Sequence, residues 1–459
     1  MKNFIFLKLI CFISVIIFFI LSFVISESYI FYFNLFIISI FVIFSIYIFF
    51  FKSFYFVLLY PFLFSFFFVG ISCFLIECEN YIIEQTIYGF TTGATIRMLC
   101  YSLFFLILII YITKIKFNKN VFFLINKQNY LFYFNIIFTI CLIYLFFPIF
   151  KHGSALSLGV NRFIYKNLFF SFFYKKVLLL CINILPIIGI NLCFKKKNNR
   201  IYSILLFLFF ILLNILLGEK FTRLHWSIYY FFCPFFLMIT FRKNFINFLN
   251  LKIIIKVVLV VTILSLFFYK IIFFHYRAIN DSQHKFFFHR VVLQGHVYWK
   301  IDYLNLIEKN FIKIDNRILN EASVSDYWSG KKGLPYLMYE VSDDNLVDEY
   351  MENKVNFTMG FPAILIQYFG FFGTFFWLII FSLFLGFYYK FLIFSLRKLN
   401  LLLLFFIYRF ELIIQDIFFN GNLFNFFSLK FYIFLYIFFI LFFVNKIFFK
   451  RKKNVYSKL

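Results

Sequence analysis

The stretch HRVVLQGHVYW, residues 289–299, sets two histidines, an arginine and a glutamine into apolar surroundings. Read as one helix, it places His289 and His296, seven apart, on one face, and Arg290 and Gln294, four apart, on the neighbouring face. At a membrane boundary such a segment could hold a cation and hydrogen-bonding groups against a lipid-linked substrate. It fits equally well an interfacial anchor, with Arg290 and the histidines at headgroups and Phe286 to Phe288 and Trp299 as an aromatic belt.

Two further short stretches carry paired bases: GVNRFIYKN with Arg162 and Lys166, and GEKFTRLHW with Lys220 and Arg223. An anionic ligand such as a pyrophosphate would give these bases a reason to be there, because guanidinium matches phosphate oxygens bidentately. A phospholipid headgroup would do so as well. In YRFELIIQD, Arg409, Glu411 and Asp416 stand in an apolar helix, where ionisable groups are costly; pairing within a structural polar cluster is the favoured reading over catalysis. Glu77, Glu79 and Glu84 in IECENYIIEQ could bind sugar hydroxyls, and Asp343 with Asp344 in VSDDNLVDEY could in principle hold a divalent metal, but both sets read better as solvated acids. No HExxH, phosphate-binding P-loop, dinucleotide GxGxxG or Ser/His/Asp arrangement is present, so metalloprotease, nucleotide-hydrolysing and dehydrogenase classes are set aside. Neither a metal nor a cofactor is expected.

The elements that must position these residues follow from composition. The 459-residue chain is 64% apolar and 27% aromatic with mean hydropathy +0.93, which describes a polytopic membrane protein. Its 87 Phe, among many Ile, Asn and Lys, suggest an AT-rich genome, so much of the aromatic content carries no functional message. The net charge of +26 flanks apolar runs without any nucleic-acid motif, and nucleic acid is not expected as a partner. The eight Cys lie singly, without CxxC spacing, and no structural disulfide is expected. The first apolar run is too long for a signal peptide and lacks a small-residue cleavage pattern, so an uncleaved span is expected.

Twelve apolar runs approach the ~20 residues that cross a bilayer as a helix. They fall near 4–25, 29–50, 54–76, 95–113, 129–149, 174–193, 201–218, 225–241, 253–270, 361–388, 400–419 and 423–444. The expected fold is therefore all-α, with about 12 transmembrane helices and one large loop between helices 9 and 10. If the N-terminus is cytoplasmic, the cytoplasmic segments hold 22 Lys or Arg and no acid, as the positive-inside rule asks, and both termini are cytoplasmic. The expected division is 1–270, a membrane domain; 271–360, the outward loop with 12 acidic and 10 basic residues; and 361–459, three more spans and a basic tail. A loop of that size is where function is sought first.

Having both ends inside, twelve spans and a long loop in its C-terminal half, the chain resembles the O-antigen polymerases, the Wzy-like oligosaccharide repeat-unit polymerases. HRVVLQGHVYWKIDY resembles a segment of those proteins in which an Arg precedes apolar residues, a small turn and aromatics. NFTMGFPAILIQYFGFFGTFFW, Asn356 to Trp377, resembles their loop-to-helix junction, with Gly360 opening the span and Gly370 and Gly373 inside it. GEKFTR sits where the family often has a glycine followed by bases. Some members carry a Gly eleven positions after an Arg in their large loops, and neither Arg162 nor Arg290 has one here.

The resemblance implies a metal-independent glycosyl transfer on the periplasmic face of the bacterial inner membrane, in lipopolysaccharide or other polysaccharide biosynthesis. The growing glycan would leave undecaprenyl pyrophosphate and join a new undecaprenyl pyrophosphate-linked repeat unit. Arg290 with Arg162, Lys166, Lys220 or Arg223 would then clamp pyrophosphate, and His296 or His289 would serve as general base. The segment 330–355 would suit a mobile lid. Partners would be the lipid-linked oligosaccharide, membrane lipids and, as a candidate, a chain-length regulator. The alternatives are the O-antigen ligase or another lipid-dependent glycosyltransferase, and a lipid-linked oligosaccharide flippase or other transporter.

Overall fold

Apolar runs long enough to cross a bilayer satisfy their backbone groups internally, and helices dominate the chain accordingly. The computed structural model describes residues 2–79, 82, 92–113, 128–155, 157–160, 162–193, 197–219, 221–242, 291–318, 324, 326–352, 355–357, 359–429, 431–437, 439, 440 and 443. All regular elements among them are helical. In order they are α1 Lys2–Leu21, α2 Glu27–Phe51, α3 Ser53–Glu77, α4 Ala94–Ile112, α5 Gln128–His152, α6 Arg162–Phe169 and α7 Phe172–Ile190. There follow α8 Lys197–Leu216, α9 Phe221–Arg242, α10 His296–Ile307, α11 Gly333–Val341, α12 Asp344–Glu352, α13 Ala363–Lys398 and α14 Leu401–Phe419.

Seven helices among the described residues are long and apolar enough to cross a membrane: α2, α3, α4, α5, α7, α8 and α13. The protein is thus an all-helical, multi-pass membrane protein. The run expected at 253–270 lies outside the described residues; that at 423–444 begins as a 3-10 turn at Leu423–Phe427 and is helical over the described residues 431–437, 439 and 440, whereas those at 4–25, 225–241 and 400–419 coincide with α1, α9 and α14. Prolines 61, 148, 186 and 234 stand inside α3, α5, α7 and α9, as membrane helices tolerate when neighbours re-satisfy the backbone.

The chain forms two compact units. The first comprises residues 1–115, 282–390 and 410–437; the second comprises 116–281, 391–409 and 438–459.

In the first unit α3 packs on α2 and α4, α1 on α4, and α10 on α3 and α4. Two buried carboxylates fasten this packing. Glu77, at the end of α3, accepts from the backbone N–H groups of Ala94 (2.7 Å) and Thr95 (3.3 Å), and from Asn34 Nδ2 (2.7 Å). A carboxylate there meets the unpaired donors and the positive end of α4. Glu77 was expected to be solvated with Glu79, but it is buried; Glu79 is exposed, and Glu84 lies outside the described residues. Asp302 of α10 meets Arg97 of α4, both fully buried: Arg97 Nε lies 2.9 Å from Oδ1, and Nη2 bonds Oδ2. Arg97 also donates to the carbonyls of Thr92 (2.6 Å) and Ser22 (3.3 Å), with Phe23 and Phe371 rings beside its guanidinium.

The segment carrying HRVVLQGHVYW does not run as one helix. Residues 293–295 form a turn, and α10 starts at His296. Ser72 is the physical reason: its Oγ donates to Val292 O (2.5 Å) and accepts from Gly295 N (2.8 Å), taking backbone groups that a continuous helix would use. A Cβ on Gly295 would stand 2.7 Å from that Oγ, so only glycine fits against α3. The helical spacing that put His289 and His296 on one face is therefore interrupted between them. Instead of grazing a membrane, α10 buries His296, Val297, Tyr298, Trp299, Lys300 and Ile301.

A second interruption falls in α13, at Gly370, with φ +68° and ψ −176°. The freed backbone groups are taken up by the chain after α10. Phe371 N donates to Asn310 O (3.3 Å), Phe372 N to Phe311 O (2.8 Å), Lys313 N to Phe369 O (3.1 Å) and Asp315 N to Tyr368 O (3.0 Å). The conformation is essentially restricted to glycine, and a Cβ would meet Asn310 O at 2.5 Å. Gly370→Ala is expected to destabilise the purified protein by at least about 2 kcal/mol. A thermal unfolding midpoint unchanged by the substitution would count against the break.

The segment expected as a lid, 330–355, contains α11 and α12, and Leu334, Leu337, Met338 and Val347 are buried. Asp343 and Asp344 are exposed at the start of α12, where Asp343 accepts from Asn345 N (2.9 Å). In α14, Glu411 accepts from Tyr388 Oη (3.1 Å), while Asp416 receives Asn420 Nδ2 (2.6 Å), Asn422 Nδ2 (3.2 Å) and Asn425. Asp416 thereby organises the turn that ends α14.

Candidate anion-binding site

The second unit brings together three of the bases singled out in the sequence. Residues 153–160 leave α5 and are pinned to the end of α8 by Ala155 N to Leu216 O (3.0 Å). The short helix α6 then seats Tyr165 inward, its hydroxyl donating to Gly153 O (2.7 Å), with Arg162 and Lys166 one turn apart. After α8 the chain turns, Glu219 N donating to Asn214 O (2.9 Å), and Arg223 follows in the first turn of α9.

Glu219 is the hub. Its Oε2 accepts from Arg162 Nη1 (3.1 Å), and its Oε1 from Lys166 Nζ (2.5 Å) and Arg223 Nη1 (2.8 Å). The Glu219 side chain is 3% exposed, whereas those of Arg162, Lys166 and Arg223 are 23%, 21% and 24% exposed. The carboxylate thus lies beneath three cations whose outer sides reach solvent. Among the described residues, one anion against three cations leaves a surplus of two positive charges.

Burial pushes the Glu219 carboxyl upward, but Arg223, Lys166 and Arg162 outweigh it and hold it down at about 2. The Lys166 ammonium is shifted downward by its own burial, with Glu219 opposing and Arg223 and Arg162 adding to the fall. Among the described residues Lys166 shares one carboxylate with two other cations close by. An additional anion at the outer side would relieve that repulsion. A phosphate-bearing group fits, since guanidinium donors and an ammonium are the usual phosphate ligands.

Lys220, Arg290 and His289 lie outside the described residues. His296 belongs to the first unit and is fully buried at the start of α10, its Nδ1 3.1 Å from Leu293 O and its ring against Phe357 at 4.6 Å. The residue missed in the sequence is Glu219. Its signal was present: it stands four residues before Arg223, the helical spacing of an ion pair. Nothing local connects it to Arg162 and Lys166.

The fold and this site define a multi-pass helical membrane protein with a cationic cluster at the ends of its helices. Residues 328–435 match the model of a family of unknown function (DUF6418), a stretch that includes α11 to α14. No curated protein and no solved structure matches the chain.

Proposed function

We propose that this protein is a surface-polysaccharide polymerase. It transfers a glycan from undecaprenyl pyrophosphate to a new lipid-linked repeat unit on the periplasmic face, within a twelve-span topology. The observation that carries the reading is the convergence, among the described residues, of Arg162, Lys166 and Arg223 on the single carboxylate of Glu219. A lipid diphosphate is the anion that a membrane-embedded transferase of this kind must hold. In the transfer an acceptor hydroxyl attacks the anomeric carbon, its proton passes to a base, and the bond to the diphosphate breaks with the electron pair leaving on oxygen. The three cations stabilise that leaving charge. Lys220, Arg290 and His289, expected to act with these cations and as base, lie outside the described residues, while His296, sealed against Phe357, packs α10.

Deleting the gene in the native host is expected to leave a core bearing one repeat unit. Complementation with Arg162→Ala or Arg223→Ala should reduce long-chain glycan at least tenfold, since one fixed cation at a developing charge is worth roughly 2–4 kcal/mol. Full-length glycan from the variants at normal protein level would overturn the role of the cluster. A core with no repeat unit after deletion would point to the ligase, and unpolymerised units stranded inside would point to a flippase.

A further inference from the structure

The region between residues 291 and 357 buries nearly all of its large apolar side chains; among its described residues the exposed ones are Ile307, Phe311, Ile312 and Ile314. They fall within eight consecutive positions, and Ile312 and Ile314 are 76% and 79% exposed. Lys313 N and Asp315 N both donate along the break in α13, which turns the same edge of the chain to that helix at 313 and 315, so Ile312 and Ile314, also two apart, share a side. Phe311 turns the other way, its ring 5.4 Å from Phe23 and 6.3 Å from Phe371 and Phe372.

Two markers fix the level of this segment relative to a bilayer. Past the break at Gly370, α13 runs on to Lys398, about 42 Å at ~1.5 Å per residue, more than a ~30 Å hydrocarbon core needs. It carries no Asp, Glu, Lys or Arg from Ala363 to Tyr389, and Lys390 follows; its side chains are buried from Ala363 to Tyr368 and its large apolar ones are first exposed at Phe372. The exposed apolar surface of α13 thus begins just past the break at Gly370, which sets that break at one boundary of the core, with Lys390 at the other. The second marker is the end of α1, where Phe23 meets Phe311 and Val24 is 78% exposed. On α13 the same apolar exterior continues through Phe372 and Phe376, both exposed.

We propose that the segment 307–314 is a membrane-dipping loop. Ile312 and Ile314 enter the leaflet at the α1 and α13 boundary, and the occupant of this surface is the lipid bilayer. The flanking, exposed Lys309 places its ammonium where phospholipid phosphates lie, as amphipathic side chains do at an interface, while Lys313 stands 3.9 Å from Asp315. Leaving two isoleucines in water would forfeit the apolar burial that the adjacent leaflet supplies. The loop also holds the broken backbone of α13, so lipid contact there bears on the stability of the break. This inference is independent of the polysaccharide reading.

The test is a nitroxide placed on Ile312→Cys and, separately, on Ile314→Cys in the full chain. The protein is reconstituted in phosphatidylethanolamine–phosphatidylglycerol vesicles, with the labelled parent as blank for native cysteines and Asp343→Cys as the aqueous reference. Collision rates with oxygen and with a water-soluble nickel chelate are compared. The expected result is an oxygen-to-nickel ratio several-fold above that of the Asp343→Cys protein at both positions. A ratio equal to the reference at either position overturns the proposal. So does exclusion of both reagents, which would mean that protein, such as a second copy, covers the surface. If one variant fails to elute as folded protein on gel filtration, the other decides by the same criteria.

Discussion

Asp302→Ala is expected to destabilise the protein by about 3–5 kcal/mol, the cost of leaving a buried arginine without its counter-ion. Arg97 and Asp302 are both fully buried, and Arg97 is further enclosed by Phe23 and Phe371. Without the carboxylate, the guanidinium keeps its carbonyl partners at Thr92 and Ser22 but loses the charge that offsets its desolvation. Arg97→Ala should be as severe, because it leaves Asp302 with Tyr298 Oη, 3.4 Å away, as its nearest remaining donor. The double variant Arg97→Met with Asp302→Leu should recover much of the loss, since an apolar pair of similar volume removes both desolvation costs. Unfolding in detergent, followed by tryptophan fluorescence, measures all four proteins. Additive losses in the double variant would mean that the pair is not coupled as its geometry requires.

The other large effect belongs to Glu219. Its carboxyl is held at about 2 against an ordinary 4.5, so its contribution to stability is fully present above about pH 4.5 and is lost as pH falls toward 2. That contribution is on the order of 2 kcal/mol once solvent screening of the part-exposed cations is allowed for. Glu219→Gln should therefore lower the unfolding midpoint at neutral pH and flatten the loss of stability between pH 4.5 and 2 relative to the parent. It should also weaken pyrophosphate binding by roughly tenfold, equivalent to about 1.4 kcal/mol. Charge alone predicts the opposite, because the substitution raises the surplus from two to three. Weakening is expected because Glu219 positions the three bases, which repel one another without it. The shift in unfolding midpoint on adding pyrophosphate, at constant ionic strength, reads this directly. Tighter binding in the variant would mean that Glu219 competes with the anion.

Much of the architecture was legible before any contact was known. Runs of about 20 apolar residues separated by basic segments describe membrane helices, because the bilayer imposes both length and charge placement. Asp343 and Asp344 read correctly as solvated, since a turn before a short polar helix keeps its acids in water. Glu77 did not: IECENYIIEQ looks like any acidic loop, and only the approach of the α4 N-terminus and Asn34 makes one of its acids a buried cap. The abundance of Phe and Ile blunted the periodicity that would otherwise separate buried from lipid-facing positions. As a result α10, buried on nearly all sides, looked like a surface helix.

The sequence by itself determined that this is a multi-pass membrane protein and which bases stand clear of the basic inter-span segments. Those properties are local, written in hydropathy and in charge along the chain. Tertiary structure alone decided that Arg162 and Lys166 share an acid with Arg223, that Arg97 is locked to a residue 205 positions away, and that α13 breaks where residues 310–315 can repair it. Ion pairs and backbone repairs between distant segments leave no spacing to read, because the energy that selects them comes from burying both partners together.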